Sequence, residues 1–140
     1  DELVNLIEVF WKEKDRFIDG YVQKNPLNLT YRNLNIIKDF KYGMRKNFLL
    51  AVYEKNYTVL NDEGINYMVK GLNENLDKFI PAEKTPMLIQ TAIMPFNGMI
   101  IYDGFISTAD MQLSQELVSK AFEDYSYGQK IYSLLPKNMN

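Results

Sequence analysis

Two apolar runs, Met87 to Phe96 and Met99 to Ile106, are separated only by Asn97-Gly98. Both central residues of a type I′ turn need positive φ, and Asn and Gly accept it at least cost. The pair therefore predicts a β-hairpin and also its register. Phe96 faces Met99, Pro95 faces Ile100, Met94 faces Ile101 and Ile93 faces Tyr102. The Pro95–Ile100 pair is a non-hydrogen-bonded one, so the proline nitrogen points to the strand's other side, which is expected to be an edge there. An exposed edge would permit a homodimer by strand pairing, although proline discourages it. The hairpin lies inside the longest charge-free run, Thr85 to Tyr102. A turn in its middle would leave unpaired backbone in lipid, so no membrane span and no membrane partner is expected.

Upstream of the hairpin the texture changes twice. Residues 2 to 23 carry Leu3, Leu6, Ile7, Phe10, Phe17, Ile18 and Tyr21 at helical spacing, with Asn25-Pro26 as the stop. A second helix is expected from Thr30, a good N-cap, through Leu34, Ile37, Phe40 and Met44, with Gly43 marking its C-terminal end. From Asn47 the pattern becomes β-prone. Phe48 to Tyr53, Tyr57 to Leu60 and Ile65 to Lys70 predict a three-stranded meander, with turns at Glu54-Lys55-Asn56 and Asn61-Asp62-Glu63-Gly64. Residues 73 to 80 read as a short helix and Pro81 to Pro86 as a loop.

After the hairpin, Asp103-Gly104 interrupts the return strand, with Gly104 a candidate bulge, and Ser107 or Thr108 begins a turn. Gln112 to Tyr125 predicts a helix whose apolar face is Leu113, Leu117, Val118, Ala121 and Phe122. Gly128 ends it, and Ile131 to Leu135 follows as an apolar tail.

Clustered strands rather than strand–helix alternation point to an α+β fold. The expected layout is two N-terminal helices, a five-stranded antiparallel sheet or small half-open barrel, and a C-terminal helix. A chain of 140 residues reads as one domain over 1–140. Its helical N-terminal part spans 1–46, its antiparallel β part 47–108 and its C-terminal helical part 109–140.

The chain has no Cys and no His. That excludes disulfides, thiolate chemistry, standard zinc sites and imidazole acid–base catalysis. No phosphate-binding glycine loop is present, and the seven glycines are scattered. Asp103, among apolar residues, should have a raised pKa, but its cross-strand neighbour is Ala92 rather than a second acid. Its expected role is to accept hydrogen bonds from amides near Gly104. Asp62-Glu63-Gly64 reads as turn chemistry, since the alternating acids of a calcium loop are absent. No catalytic, metal or cofactor-binding residue is assigned, and no cofactor is expected.

Charge is distributed unevenly. Arg32, Lys38, Lys41, Arg45, Lys46 and Lys55 face only Asp39 and Glu54 in one stretch, while residues 103 to 127 are acidic. The candidate binding surface is therefore Arg45, Lys46, Tyr53, Lys55 and Tyr57, where cations accompany strand tyrosines. Small barrels bind single-stranded nucleic acid by stacking bases on such aromatics in a basic groove. A pI near 5.2 argues against that partner, because neutralising phosphates needs a basic face.

The segment Ile93-Met94-Pro95-Phe96-Asn97-Gly98-Met99-Ile100-Ile101-Tyr102-Asp103-Gly104-Phe105-Ile106 resembles the "LPFxxxIIYDGxI" hairpin of bacterial proteins, largely from Firmicutes, some of which carry a SEC-C zinc module. Tyr57-Thr58-Val59-Leu60, the run Tyr67 to Leu72 and the run Lys130 to Leu135 are similar to the same pattern. The resemblance implies no catalytic residue. This chain lacks the SEC-C cysteines, and Met99 stands where the pattern commonly has a basic residue.

The expected function is a non-enzymatic binding or interaction module of a bacterial cytoplasmic protein, with a protein as its partner. The alternatives are a single-stranded nucleic-acid-binding small barrel and a hydrolase that uses carboxylates alone. No signal peptide is expected from the sequence.

Overall fold

The structure, a computed structural model, describes residues 2–71, 76–108 and 113–136. In chain order it contains α1 (Glu2–Lys12), α2 (Lys14–Lys24), α3 (Tyr31–Asp39), β1 (Met44–Tyr53), β2 (Thr58–Asp62), β3 (Ile65–Lys70), β4 (Met87–Phe96), β5 (Met99–Tyr102), β6 (Ser107–Thr108), α4 (Gln115–Tyr127) and β7 (Gln129–Ile131). The class is α+β, with four helices and a seven-stranded mixed sheet. No helix among the described residues is long and apolar enough to cross a membrane.

The hairpin has the expected register, from Phe96↔Met99 to Ile93↔Tyr102. Asn97 and Gly98 adopt φ of 50° and 74°. The second turn of the meander is tighter than expected: Asn61 and Asp62 stay in β2, and Glu63 and Gly64 alone make the reversal, at φ 50° and 84°. Thr30 caps α3 by accepting the Asn33 N–H at 3.2 Å.

Several expectations are corrected. The single helix over residues 2–23 is two helices, so three rather than two precede the sheet. The break is at Glu13, whose backbone leaves the helical region at φ −109° and ψ 14°. There the chain redirects, Ile18 is buried, and the Lys14 ammonium reaches the Lys41 carbonyl at 2.6 Å. The sheet starts at Met44 rather than Asn47, so Met44 is strand rather than helix. Gly43 allows this start: a Cβ there would lie 3.0 Å from the Ile93 carbonyl and 3.1 Å from the Trp11 ring.

The sheet is mixed rather than antiparallel, for a topological reason. β1 pairs with β2 through its second half and with β4 through its first half, bending at a bulge between Leu50 and Val52. The spatial order β4-β1-β2-β3 is that of a Greek key. β4 runs antiparallel to β1, and β5 antiparallel to β4, so β5 emerges parallel to β3. That seam is only two residues long, Val69↔Ile100 and Lys70↔Ile101. The rest of the β3 edge takes β7, also parallel, from Ile65↔Gln129 to Tyr67↔Ile131. Ser107 and Thr108 do not turn but pair with Gln90 and Ile89. Pairing of β4 with β1 ends at Ile93↔Met44, so Pro95 lies beyond it, as its missing N–H requires. Pro95 is buried, however, which removes the exposed edge on which strand-paired dimerisation would depend.

The interior is filled by Phe48, Leu50, Leu60, Val69, Ile89, Ile93 and Ile100, with Leu76 and Ile80 entering from the β3–β4 connection. Of the expected helix over 73–80, residues 73 to 75 lie outside the described residues, and 76–78 form a 3₁₀ turn. The outer face of β1–β3 carries a second cluster, Ala51, Val59 and Met68, under Tyr125 of α4. Gln112 lies outside the described residues. The apolar face expected for α4 is rotated: Ala121 is buried, whereas Leu117 and Phe122 are half exposed. Polar bonds set that rotation. Asn61 donates to Asn66 at 3.0 Å, and Asn66 donates to the Asp124 carbonyl at 2.9 Å.

Candidate interaction surface

The five candidate binding residues do not converge. Arg45 and Lys46 are successive residues near the start of β1 and so point to opposite faces of the sheet. Tyr53 ends the same strand, roughly 25 Å away at the usual rise per residue. The Arg45 side chain is 5% exposed; its Nε lies 3.2 Å from Glu8 Oε1, and its Nη1 donates to the Phe105 carbonyl at 3.3 Å. Lys46 pairs with Asp62 at 3.0 Å. Tyr53 donates its hydroxyl to the Ile80 carbonyl at 2.6 Å, and burial pushes its phenol up to about 12. Tyr57 packs edge-on against Tyr132 with centroids 5.3 Å apart, and the Lys70 ammonium lies 5.1 Å from its ring centre. Lys55 is exposed in the β1–β2 turn. The tyrosine rings are thus engaged in packing, and both β1 cations are paired with carboxylates.

A different surface lies at the other end of β1. α1 carries Leu3, Val4, Leu6, Ile7, Val9, Phe10 and Trp11 among eleven residues, an apolar arc too wide for one buried stripe. Ile7 and Trp11 are partly buried toward β1 and β4. Leu3, Leu6, Val9 and Phe10 point outward at 53%, 67%, 53% and 43% exposure. Phe17 of α2 extends this face, its ring parallel to Phe10 with centroids 6.1 Å apart. The half-exposed Phe105 flanks it from the loop after β5.

Between α1 and the β4–β5 hairpin this face dips into a groove of about 310 Å³, lined by Leu6, Ile7, Phe10, Trp11, Met94, Asp103 and Phe105. Asp103 supplies the only charge among these groups. Its backbone N–H donates to the Ala92 carbonyl at 3.1 Å, and its Oδ1 accepts the Phe105 N–H at 2.9 Å. Burial raises its pKa above the ordinary aspartate value, despite the opposing pull of the Phe105 amide and of Arg45. Arg45 therefore serves the groove as a strut, joining Glu8 of α1 to the Phe105 backbone.

The helical spacing of Leu3 to Tyr21 reads in sequence as a single amphipathic stripe. The signal that reading misses is the width of the α1 arc: apolar residues on both sides of the helix cannot all meet one sheet. Among the described residues, no group of three or more acidic side chains is placed to hold a metal ion. Comparison of the chain with protein-family models, with curated proteins and with solved structures gives no match.

Proposed function

We propose that this chain is a non-enzymatic interaction module, acting in the bacterial cytoplasm, that docks a partner protein on the outward face of α1 and the groove beneath it. The observation that carries the reading is the exposed row Leu3, Leu6 and Phe10, continuous with Phe17 and Phe105. A contiguous apolar patch of this kind is uncommon on a soluble monomer and marks an interaction site. Covering each half-exposed Leu or Phe would contribute about 1 kcal/mol.

In this reading the strand ring β1-β2-β3-β5-β4 is a half-open small barrel. The outer face of strands 2 and 3, which oligonucleotide-binding barrels of the OB type use, lies under α4 here. That cover, with the paired cations of β1, argues against the nucleic-acid alternative. The resemblance to the hairpin-bearing bacterial proteins enters as kinship and assigns no activity.

Site-specific photo-crosslinking tests the proposal. A benzophenone amino acid replaces Phe10 or, as control, the 87% exposed Tyr127. A discrete adduct from position 10 that is absent from position 127 is expected in cells. No adduct at position 10, or the same adducts from both positions, would overturn the reading.

A further inference from the structure

We infer that the groove between α4 and the outer face of β1, β2 and β4 binds a small primary amine, an ammonium carried on a compact apolar body. This site lies apart from the α1 face and does not rest on the reading of that face.

The sheet supplies the floor. Leu88 of β4 faces Leu49 of β1, Leu49 faces Asn61 of β2, and Asn61 faces Asn66 of β3. Directly opposite residues share a face, so these four side chains form one row across four strands. α4 is pinned over the Asn66 end of the row, where Asn66 donates to the Asp124 carbonyl and Ala121 is buried. Over the Leu49 and Leu88 end the cover is incomplete. Leu113 and Leu117 border a space of about 310 Å³ there, and Leu117 stays 49% exposed. That volume is near the lower limit for small-molecule sites and suits a single ring or a short alkyl chain.

The asparagine pair fixes the polar group that the ligand carries. Only the Nδ2 end of Asn66 can donate to a carbonyl, so its Oδ1 is left to face Asn61. Asn61 therefore presents its own Nδ2 there, at 3.0 Å, and its Oδ1 is turned away from Asn66. That oxygen accepts no hydrogen bond from the described residues, although Asn61 is only 6% exposed and lines the groove. An acceptor left unpaired in a buried side chain is costly, and a donor arriving through the groove satisfies it.

Charge decides which donor. Asp62, Glu63 and Asp124 border the groove against one cation, Lys120. Lys46 pairs with Asp62 and Lys120 with Asp124, which leaves the Glu63 carboxylate without an ion pair among the described residues. The mouth thus carries an excess negative charge. It favours an ammonium over an alcohol and repels a carboxylate. The ammonium donates to Asn61 Oδ1 while its apolar body covers Leu49, Leu88 and Leu117.

Titration of the isotope-labelled chain with phenethylammonium chloride, followed by NMR, tests the inference. Saturable shifts are expected at the Asn61 side-chain amide and at Leu117 and Ala121, with a dissociation constant on the order of 1 mM for so small a ligand. Phenethyl alcohol should bind about tenfold more weakly, because its hydrogen bond is not charge-assisted. Hydrocinnamate should leave these signals unmoved. Leu117→Trp fills the groove from a half-exposed position and should abolish the shifts, with circular dichroism checking the fold. Glu63→Gln, in an exposed turn, should weaken binding about threefold. No saturable shift, shifts centred instead on the Trp11 indole, or equal binding of the alcohol or of hydrocinnamate would each overturn the inference. So would binding unaffected by Leu117→Trp in a folded chain, or by Glu63→Gln. Phe-Gly-Gly amide, which carries the same ammonium on a peptide, should bind no better than the free amine; tighter binding would overturn the small-molecule assignment in favour of a chain terminus.

Discussion

Tyr125 donates its hydroxyl to the carboxylate of Glu54, a residue 71 positions earlier in the chain. The bond ties α4 to the turn between β1 and β2. Lys130, the middle residue of β7, lies 3.3 Å from the same carboxylate oxygen and 5.1 Å from the Tyr125 ring centre. Three elements distant in sequence thus share one small polar site over the Ala51, Val59 and Met68 cluster.

Removing that hydroxyl tests the tie. Tyr125→Phe should cost about 1 kcal/mol in urea unfolding at neutral pH. The Tyr125 hydroxyl, followed by Lys130, holds the Glu54 carboxyl below its ordinary value of 4.5. A lowered carboxylate pKa stabilises the fold fully above the unfolded value, and the gain disappears as pH falls through the folded one. The gap between parent and Tyr125→Phe should therefore narrow below pH 4.5; a gap that is constant with pH would contradict this account.

Gly128 tests close approach. Its φ of −73° suits any residue, so space rather than conformation is limiting. A Cβ there would lie 2.3 Å from the carbonyl oxygens of both Asp124 and Gly64. Gly128→Ala should destabilise by about 2 kcal/mol or more. Gly20→Ala is the contrast. Gly20 sits inside α2 with nothing within 4 Å, and the change should stabilise by up to about 1 kcal/mol. Thermal melts of the two variants should shift in opposite directions.

Tyr53 makes a prediction at high pH. Burial, then the Asp77 charge and Tyr102, push its phenol up to about 12. A raised pKa of this kind contributes stability that is full below the unfolded value of 10.0 and is lost as pH rises toward 12. Spectrophotometric titration should show a tyrosine that ionises late, and Tyr53→Phe should remove that step. The variant should also lose about 1 kcal/mol at neutral pH, through the lost bond to Ile80.

Asp103 carries the opposite sign from Glu54. Burial raises its pKa above 3.8, so the fold favours the protonated form. Stability from that preference is present below pH 3.8 and is lost as pH rises through the folded value. Asp103→Asn keeps an oxygen for the Phe105 amide but carries no charge. It should therefore gain on the parent chain as pH rises from 3 to 7 in parallel chemical denaturation, and a gap that moves the other way would refute the burial argument.

Much of the fold was legible because its signals are local. Asn97-Gly98 specifies backbone angles within two residues, and those angles set the register of β4 on β5. Thr30 caps α3 through a bond three residues long. Asp103 accepts the Phe105 amide two residues on, as an acid before Gly104 should. The candidate binding residues were legible only as residue types. Arg45 and Lys46 are basic in the sequence, but Glu8 and Asp62, which engage them, lie 37 and 16 positions away.

By itself, then, the sequence determined the α+β class, the hairpin and its register, most turns and the lack of imidazole and thiol chemistry. These depend on residue type and on backbone preferences over a few positions. The tertiary structure alone decided that β3 runs parallel to β5 and β7, that α4 leaves Leu117 and Phe122 half exposed, and that α1 leaves Leu3, Leu6 and Phe10 outside. Those outcomes follow from which distant surfaces compete for the same buried area. Periodicity marks a face as apolar, but whether that face is covered depends on how much sheet the other elements have already claimed.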